Sequence, residues 1–434
     1  MSNNPDILWF CQSSANSSLS RITDSVLPLL TKDFNVSLLS NKSNLTGIKN
    51  IIMGSDTKSV TYKEFMECQS TVNEETIRSL NMKYIMVQIV DLIYENDFKY
   101  LMICNGIYEI DWFTKVLLSS PKFLINKNGK RTKLVVWAPI DYIPTIKVIE
   151  GVVQADLFLT MTPIMTDEIK KLTNLETNIN HVGHGSDISL NNETLSRSFV
   201  IKELNKMRSQ KLIFCKKLIE ETDIIILNAN NYGPLNKNET SVINTPGTRK
   251  RLDITVKAFL KILPTNPRLK LWIHTNLKSF FDMMSIEEIS LQTFADNIIL
   301  SNNIFDNNQL GLIYRAGQIS LQTSYAEGWS LTNLEASMYR SLQVVPDFLA
   351  CGYHFKNGRG ILIPTTRKTI KNEGGHDVII GEVSIDDTAE KLLEAIELLD
   401  NPKSLEIVLD AAYNYSSDHT WVKVAEKLTN LLNA

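Results

Sequence analysis

The sequence predicts an α/β protein built from two domains, each with a mainly parallel sheet covered by helices. Short apolar runs that suit buried strands alternate with stretches that suit amphipathic helices, and this alternation starts again near Asp223. The chain also has 434 residues. That length is enough for two domains of about 200 residues, each with its own hydrophobic core.

The first round of alternation occupies the N-terminal half of the chain. Apolar and β-branched runs predict strands, and apolar residues spaced by three and four predict helices. The predicted strands are Ile7–Cys11, Val36–Leu39, Tyr100–Cys104, Leu134–Trp137, Leu157–Met161 and Asn180–Val182. The predicted helices are Ile22–Leu30, Tyr84–Tyr94, Val148–Val153 and Asp167–Leu172. Pro28 is expected to kink the first of these helices or to start a new turn.

The second round follows the polar stretch Ser196 to Glu221. Its predicted strands are Ile224–Leu227, Leu269–Ile273, Asn297–Leu300 and Gln318–Thr323. Its predicted helices are Ile254–Leu263, Asn307–Arg315 and Trp421–Leu432. We therefore expect an N-terminal domain at 1–200, a C-terminal domain at 201–410 and a terminal helical segment at 411–434.

Composition indicates a soluble globular protein. Hydrophobic residues make up 43% and charged residues 21%, and the net charge of −3 argues against nucleic acid as the main partner. The five cysteines are scattered without a C-x-x-C pair, which indicates reduced thiols. No signal peptide and no apolar run of about 20 residues is evident. We therefore expect a cytoplasmic location, with peripheral contact at a membrane left open.

The most informative segment runs from Ser324 to Ala336, between a predicted strand and a predicted helix. Open α/β sheets bind ligands at such loops, and the N–H groups at a helix start suit a phosphate. The residues expected to surround that anion are Gly328, Trp329, Ser330, Leu331 and Thr332. Glu327 and Glu335 flank them with carboxylates that can accept hydrogen bonds from hydroxyls, as a nucleotide sugar requires. Alternatively, Thr332 and Glu335 form a capping box that only closes their own helix.

A second candidate is the basic run Arg249, Lys250 and Arg251, which precedes a predicted amphipathic helix. One interpretation is a cationic clamp on a diphosphate, which would neutralise charge that develops on a leaving group. The other is a solvated charge cluster at a domain surface, which is common for such runs. The run alone leaves both interpretations open.

Five further residues are candidates for a cleft or an acceptor site. Asp141 follows a predicted strand, where it could face a ligand or belong to a turn beside Pro139. His184 and Asp187 belong to a glycine-containing turn that could contact a ligand or only join two domains. Ser13 and Ser14 lie in the loop after the first predicted strand, where hydroxyls and helix-start amides suit a phosphate.

The run Ser324 to Ala336 resembles the E-x7-E motif of retaining glycosyltransferases of family 4, and Leu342 to Asp347 resembles its continuation. The resemblance implies the GT-B fold, with two Rossmann-like domains facing each other across a cleft. It also implies a C-terminal helix that crosses back to the N-terminal domain. The implied reaction moves a hexose from a nucleoside-diphosphate sugar to a hydroxyl acceptor with retention, and needs no cofactor besides the donor. The acceptor, which is a glycan, a lipid or a protein, is not identified.

The resemblance also implies roles for individual residues. Glu335 is expected to accept hydrogen bonds from the ribose, Glu327 to hold the donor hexose, and Lys250 with the loop amides to bind the diphosphate. Lys250 matches the lysine of the family's basic motif. Where many relatives have an arginine, this chain has Asn231 and then an insertion. Arg249 or Arg251 is therefore the candidate substitute.

Two other functions stay open at the level of sequence. One is a GT-B sugar phosphorylase, which would use inorganic phosphate as the glycosyl acceptor. The other is a non-catalytic nucleotide or sugar binder. The displaced arginine favours the binder, as does the lack of a glycine pair at Gln12 to Ser20, whereas the intact pair Glu327 and Glu335 and the presence of Lys250 argue against it. The histidines have no H-x3-H or H-E-x-x-H spacing and no D-x-D triplet occurs, so we expect no metal site.

Overall fold

The computed structural model describes residues 6–11, 18–40, 48–52, 74–174, 178–186, 195–230, 249–275, 296–371 and 375–434. The chain forms two compact units. The first unit comprises Met1–Ile140, Pro144–His184 and Trp421–Ala434. The second unit comprises Asp141–Ile143 and Gly185–Thr420. The first unit is thus assembled from separate stretches of the sequence.

Strands and helices alternate in both units. The strands are β1 (Ile7–Phe10), β2 (Val36–Ser40), β3 (Lys49–Ile52), β4 (Tyr100–Cys104), β5 (Lys133–Trp137), β6 (Ile143–Pro144), β7 (Leu157–Thr160), β8 (Ile179–His181), β9 (Ile224–Ala229), β10 (Leu269–His274), β11 (Ile298–Ser301), β12 (Ile319–Leu321), β13 (Leu342–Pro346), β14 (Ile361–Ile363), β15 (Thr366–Lys371) and β16 (Asp377–Glu382). The helices are α1 (Ser18–Leu30), α2 (Glu74–Glu95), α3 (Ile107–Leu118), α4 (Ile146–Ile149), α5 (Pro163–Thr173), α6 (Arg197–Ser209), α7 (Leu252–Ile262), α8 (Asn307–Ala316), α9 (Leu331–Met338), α10 (Leu349–Phe355), α11 (Ile385–Leu399), α12 (Pro402–Ser417) and α13 (Trp421–Asn433).

The first unit contains a parallel sheet with the strand order β3-β2-β1-β4-β5-β7-β8. Every residue of β1, β2 and β4 is buried, as expected for a parallel sheet with helices on both faces. Helix α13 packs against α1. The Tyr100 hydroxyl of β4 donates a hydrogen bond to the backbone oxygen of Leu432 in α13. The C-terminal helix therefore returns to the unit that contains the N-terminal strands.

The second unit contains a parallel sheet with the strand order β11-β10-β9-β12-β13-β14. Helices α7 and α11 contribute to the hydrophobic core on one side of this sheet, and α6 and α8 to the core on the other. The strand order reverses between β9 and β12. Open α/β sheets bind ligands at such a switch point, outside the carboxyl ends of the strands. The carboxyl ends of β9 and β12 are therefore the expected position of a ligand site.

A small sheet in the order β15-β16-β6 accompanies the second unit, and the sequence did not predict it. β15 and β16 form an antiparallel hairpin. Val378 and Ile380 of β16 pack against Tyr325, whose backbone oxygen accepts a hydrogen bond from Gly381 N–H at 2.9 Å. A side chain at Gly381 would collide with the ring of Phe348, which explains the glycine. The hairpin therefore supports the segment that follows β12.

Helix α1 extends as one element from Ser18 to Leu30 with Pro28 in its last turn, so Pro28 does not end the helix, and the kink expected there stays a prediction. One detail of the predicted helices is wrong. The single helix predicted at Val148–Val153 is instead the short α4 and a separate 3-10 turn. The N–H groups of Gly151 and Val152 donate to the Asp111 carboxylate at 2.6 and 3.3 Å, which draws them away from a continuous helix.

Candidate functional site

A buried loop joins β12 to α9 at the switch point of the second sheet. The strand is shorter than predicted and ends at Leu321, so the loop extends from Gln322 to Ser330. Ser330 adopts a left-handed conformation with φ 61°, and α9 begins at the next residue. Leu331 and Thr332 are half-buried in the first turn of α9. The predicted order of strand, loop and helix is therefore present.

The start of α9 excludes the capping-box interpretation. The N-cap is Ser330, whose side chain makes no capping hydrogen bond, and Thr332 is already the second helical residue. Glu335 is 2% exposed, and its Oε2 accepts a hydrogen bond from the Tyr314 hydroxyl at 3.0 Å. Its carboxylate therefore points into a tertiary contact with α8 and does not cap its own helix. The capping-box interpretation is wrong.

Glu327 lies between two cations from the segment that precedes α7. Its Oε1 is 2.5 Å from Lys250 Nζ, and its Oε2 is 3.1 Å from Arg249 NH1. The side chain of Glu327 is 7% exposed and that of Lys250 is 16% exposed. Two motifs that were recognised separately in the sequence thus meet at one point. We call Asp141, Arg249, Lys250 and Glu327 the charge cluster.

The charge cluster shifts the pKa values of its members. Burial alone would raise the pKa of Glu327, but Lys250 and Arg249 together lower it to about 2. Burial lowers the pKa of Lys250, and Arg249 adds to this effect while Glu327 opposes it. Burial also acts to lower the pKa of Arg249, but Asp141 and Glu327 outweigh it and raise that pKa. Glu327 is therefore ionised at neutral pH and acts only as a hydrogen-bond acceptor.

Asp141 brings a second carboxylate to the charge cluster. Its Oδ1 accepts a hydrogen bond from Gly328 N–H at 2.9 Å and lies 3.2 Å from Arg249 NH1. The side chains of Asp141 and Arg249 are 35% and 32% exposed, so this side of the cluster is open to water. A loop amide and a guanidinium thus already hold an anion here. Two cations and two carboxylates give the cluster a formal charge of zero.

Arg251 is held apart from Glu327 by its own partners. It is the N-cap residue of α7 and has a left-handed conformation with φ 45°. Its guanidinium donates to both carboxylate oxygens of Asp253, at 2.8 and 2.7 Å. The same group lies over the ring of Tyr325 and donates to its hydroxyl. The structure therefore brings Arg249 and Lys250 to Glu327 and keeps Arg251 in a neighbouring network.

Helix α10 packs against the end of the loop at Trp329 and Ser330. The sequence did not predict this contact. The Trp329 ring packs edge-on against His354, with centroids 4.4 Å apart. Cys351 Sγ lies 3.4 Å from Ser330 Oγ, and His354 Nδ1 lies 2.9 Å from the Tyr415 hydroxyl. Burial lowers the pKa of His354 well below its ordinary value, so its ring is neutral. These residues act by packing, and no sequence spacing marks that role.

The remaining candidate residues lie elsewhere. His184 is 4% exposed in the first unit, where its ring packs against Trp137 and stacks on Trp421. Burial lowers its pKa to about 3. These contacts are typical of a core histidine and favour the structural interpretation of its turn. Ser13, Ser14 and Asp187 lie outside the described residues.

Three features of the described ranges concern metal ligands, membrane-spanning helices and cysteines. In these ranges, no group of three or more His, Cys, Asp or Glu side chains is placed to hold a metal ion. Nor does that part of the chain contain a helix long and apolar enough to cross a bilayer. The cysteines within it, Cys11, Cys104, Cys215 and Cys351, form no disulfide.

Comparison with known proteins places the fold. No family model matches the sequence, and no curated protein matches it. Among solved structures, a glycosyltransferase from Rickettsia africae ESF-5 has a TM-score of 0.64 at 12% identity, covering 99% of this chain and 98% of that one. Anabaena Alr3699/HepE in complex with UDP and glucose has a TM-score of 0.64 at 11% identity, covering 99% of both chains. Sucrose-phosphate synthase from Thermosynechococcus elongatus has a TM-score of 0.65 at 11% identity, covering 98% of both.

These structures are glycosyltransferases with the GT-B fold, and the likeness extends over almost the whole of each chain. The chain described here therefore has the GT-B fold, which confirms the fold class expected from the sequence. At 11–12% identity the likeness establishes the fold alone. Its function has to be argued from the residues of its own site.

Proposed function

We propose that this protein is a retaining glycosyltransferase that transfers a hexose from a nucleoside-diphosphate sugar to a hydroxyl acceptor without a metal ion or other cofactor. The observation that carries the proposal is the meeting of Arg249, Lys250 and Glu327 at the switch point of the second sheet. Structures that share the fold include the glycosyltransferase from Rickettsia africae ESF-5 and the Anabaena protein in complex with UDP and glucose.

Lys250 and Arg249 supply the positive charge that a diphosphate leaving group requires. Negative charge accumulates on that group as the glycosidic bond breaks, and fixed cations stabilise it without reorganisation. The N–H groups at the start of α9, at Leu331 and Thr332, add to the positive potential beside Lys250. Arg251 is bound to Asp253 and Tyr325. We therefore assign the phosphate-binding arginine to Arg249.

Glu327 is assigned to the donor hexose. A carboxylate with a pKa of about 2 accepts hydrogen bonds from ring hydroxyls throughout the physiological pH range. The same low pKa makes it a weak nucleophile, because Lys250 and Arg249 stabilise the negative charge that would have to attack. This favours retention by attack of the acceptor on the same face of the sugar from which the diphosphate leaves. Such a route needs no covalent enzyme intermediate.

Glu335 is assigned to the ribose hydroxyls of the donor by its place in the motif. The hydrogen bond that Glu335 Oε2 accepts from the Tyr314 hydroxyl orients the carboxylate. Gly328, Trp329 and Ser330 form the wall of the donor site between the two glutamates. The acceptor is a hydroxyl of a glycan, lipid or protein, and peripheral contact with a membrane is compatible with each of them. A cytoplasmic location suits the four cysteines of the described residues, which form no disulfide.

A panel of UDP-, GDP-, ADP- and TDP-sugars tests the proposal. The purified protein should bind one nucleoside diphosphate much more tightly than the others and slowly hydrolyse the matching sugar donor when no acceptor is added. NMR of the first-formed sugar should show the anomeric configuration of the donor. Glu327→Gln should not weaken the affinity for the free nucleoside diphosphate, and it should lose most of the hydrolysis.

Each alternative gives a different result in the same panel. A sugar phosphorylase would release a sugar phosphate only when inorganic phosphate is present. A non-catalytic binder would bind a nucleotide or sugar and leave every donor intact over days. Inversion of the anomeric centre would contradict the retaining mechanism while leaving the transfer reaction in place.

A further inference from the structure

A network of buried side-chain amides lies beneath the loop that carries Glu327. Asn230 follows β9, Gln322 follows β12, Asn333 lies in the first turn of α9, and Gln343 lies in β13. Each of the four is at most 5% exposed. Gln322 contacts Asn230 and Asn333 at 3.1 and 3.4 Å, and Asn333 donates to Gln343 at 2.9 Å. The carboxyl ends of β9 and β12, the start of β13 and the first turn of α9 are thus joined by hydrogen bonds.

Gln322 occupies the centre of this network. Its Oε1 accepts hydrogen bonds from Thr323 N–H at 3.1 Å, Ser324 N–H at 3.3 Å and the Ser324 hydroxyl at 2.8 Å. These contacts fix the first turn of the loop. Its Nε2 lies 3.5 Å from Glu327 Oε1, the same oxygen that contacts Lys250. One side chain therefore shapes the loop from its base and also reaches the carboxylate five residues further along.

We propose that Gln322 is a positioning residue that orients Glu327 toward the donor hexose. The inference rests on the proposed function, because it takes Glu327 as the group that holds the sugar. Lys250 and Arg249 fix the charge of Glu327 but pull its two oxygens in different directions. Gln322 adds a neutral donor 3.5 Å from Oε1, and its own Oε1 holds the first turn of the loop in place. A carboxylate contacted by three side chains keeps one orientation, and transfer is sensitive to misplacement by about 1 Å.

Gln343 provides a matched control for this inference. It is also a buried glutamine in the same network, with Oε1 accepting from Asn333 at 2.9 Å and Nε2 donating to the Ser341 backbone oxygen at 2.7 Å. Asn333 and Gln322 separate it from Glu327. A purely structural network would make Gln322→Leu and Gln343→Leu equivalent, since each leaves buried polar groups without a partner. Positioning predicts that they differ in turnover.

The experiment compares Gln322→Leu, Gln343→Leu and the wild type at a temperature where all three are folded. We expect both variants to lose stability and to keep the wild-type affinity for the free nucleoside diphosphate within about threefold. Donor turnover should fall about 10–100-fold in Gln322→Leu and stay within about threefold of wild type in Gln343→Leu. Equal turnover in the two variants would overturn the inference. So would a parallel loss of nucleoside diphosphate affinity in Gln322→Leu.

The Gln322→Glu variant gives a second readout, taken at pH values where circular dichroism shows that it is folded. It keeps the shape and the Oε1 acceptor, but the new carboxyl group donates toward Glu327 only while it is protonated. Buried beside ionised Glu327, it should have a raised pKa. Turnover relative to wild type should therefore be highest at low pH and fall as pH rises. A pH-independent ratio would contradict the inference.

These outcomes separate the inference from the proposed function. If the wild type binds no nucleoside diphosphate and consumes no donor, the proposed function fails, and the inference about Gln322 that rests on it fails with it. If the wild type turns over donor and the two leucine variants behave alike, the proposed function stands and the role of Gln322 is refuted.

Discussion

Replacing Lys250 with alanine tests the charge cluster through protein stability. The change leaves the Glu327 carboxylate, which is 7% exposed, with Arg249 at 3.1 Å as its remaining cation in the cluster. The two cations lower the pKa of Glu327 from 4.5 to about 2. At about 1.4 kcal/mol for each tenfold change in proton affinity, this net lowering, which remains after burial has opposed it, corresponds to roughly 3 kcal/mol. Because Arg249 remains, we expect Lys250→Ala to lower the free energy of unfolding by about 1–2 kcal/mol.

Urea denaturation at pH 7, followed by tryptophan fluorescence, measures this change. The chain has two compact units, and the transition of the second unit is the one expected to move. Lys250→Ala, Glu327→Gln and the double variant form a cycle that isolates the interaction between the two side chains. We expect a coupling energy of about 1–2 kcal/mol. A coupling below about 0.5 kcal/mol would refute the reasoning, because the two groups would then be energetically independent.

The low pKa of Glu327 also fixes the direction of a pH effect. A carboxyl group whose pKa is lower in the folded state stabilises the fold above its unfolded pKa and loses that contribution as pH falls toward the folded value. The stabilisation by Glu327 should therefore be complete at neutral pH and disappear between about pH 5 and pH 2. The difference in unfolding free energy between wild type and Glu327→Gln, measured along this range, should shrink toward acid. A difference that grows toward acid would contradict the assigned ion pairs.

Lys250→Ala should also lower kcat by about two orders of magnitude if the ammonium balances charge on the leaving diphosphate, and a steady-state assay with wild-type kcat would exclude this role. Arg249→Ala should weaken nucleoside diphosphate binding, whereas Arg251→Ala should mainly lower stability. If titration calorimetry shows that Arg251→Ala loses more affinity than Arg249→Ala, the roles of the two arginines are exchanged. Asp141→Asn should tighten that binding about three- to tenfold, because it removes a solvent-exposed carboxylate from the anion site, and weaker binding would show that Asp141 contacts the donor directly. Transfer should persist in excess EDTA, and a loss that one divalent ion restores would show that a metal carries the charge.

The sequence predicted the parallel sheets well for a physical reason. Strands covered by helices on both faces are continuous apolar runs, as in Tyr100–Cys104 and Ile224–Leu227, and such runs are visible without any tertiary information. The hairpin at Thr366–Lys371 was missed because its first strand is mostly exposed and charged. Its pairing depends on contacts of the second strand with Tyr325, far away in sequence.

The candidate site was predictable as a set of motifs but not as a set of contacts. Glu327 and Lys250 were both placed at the donor site from their motifs, yet their ion pair spans 77 residues of sequence and needed the structure. The choice between Arg249 and Arg251 depends on a left-handed residue at the helix start, which propensity does not predict for arginine. Gln322 escaped notice because a buried amide has no signature until its partners are known.

The return of α13 to the first unit has a consequence for how the protein is made. The sheet of the first unit emerges early from the ribosome, but the helix that packs on α1 is separated from His184 by the second unit. At about 5–20 residues per second, synthesis of the roughly 240 intervening residues takes on the order of 10–50 s. During that interval the nascent first unit exposes the apolar surface that later receives Trp421, Leu428 and Leu432. The core of the second unit includes Leu409 in α12, so it too is completed only near the end of synthesis. Because the first unit has by then exposed its apolar surface for the longer time, chaperone demand in the cell should concentrate on the N-terminal part of the chain.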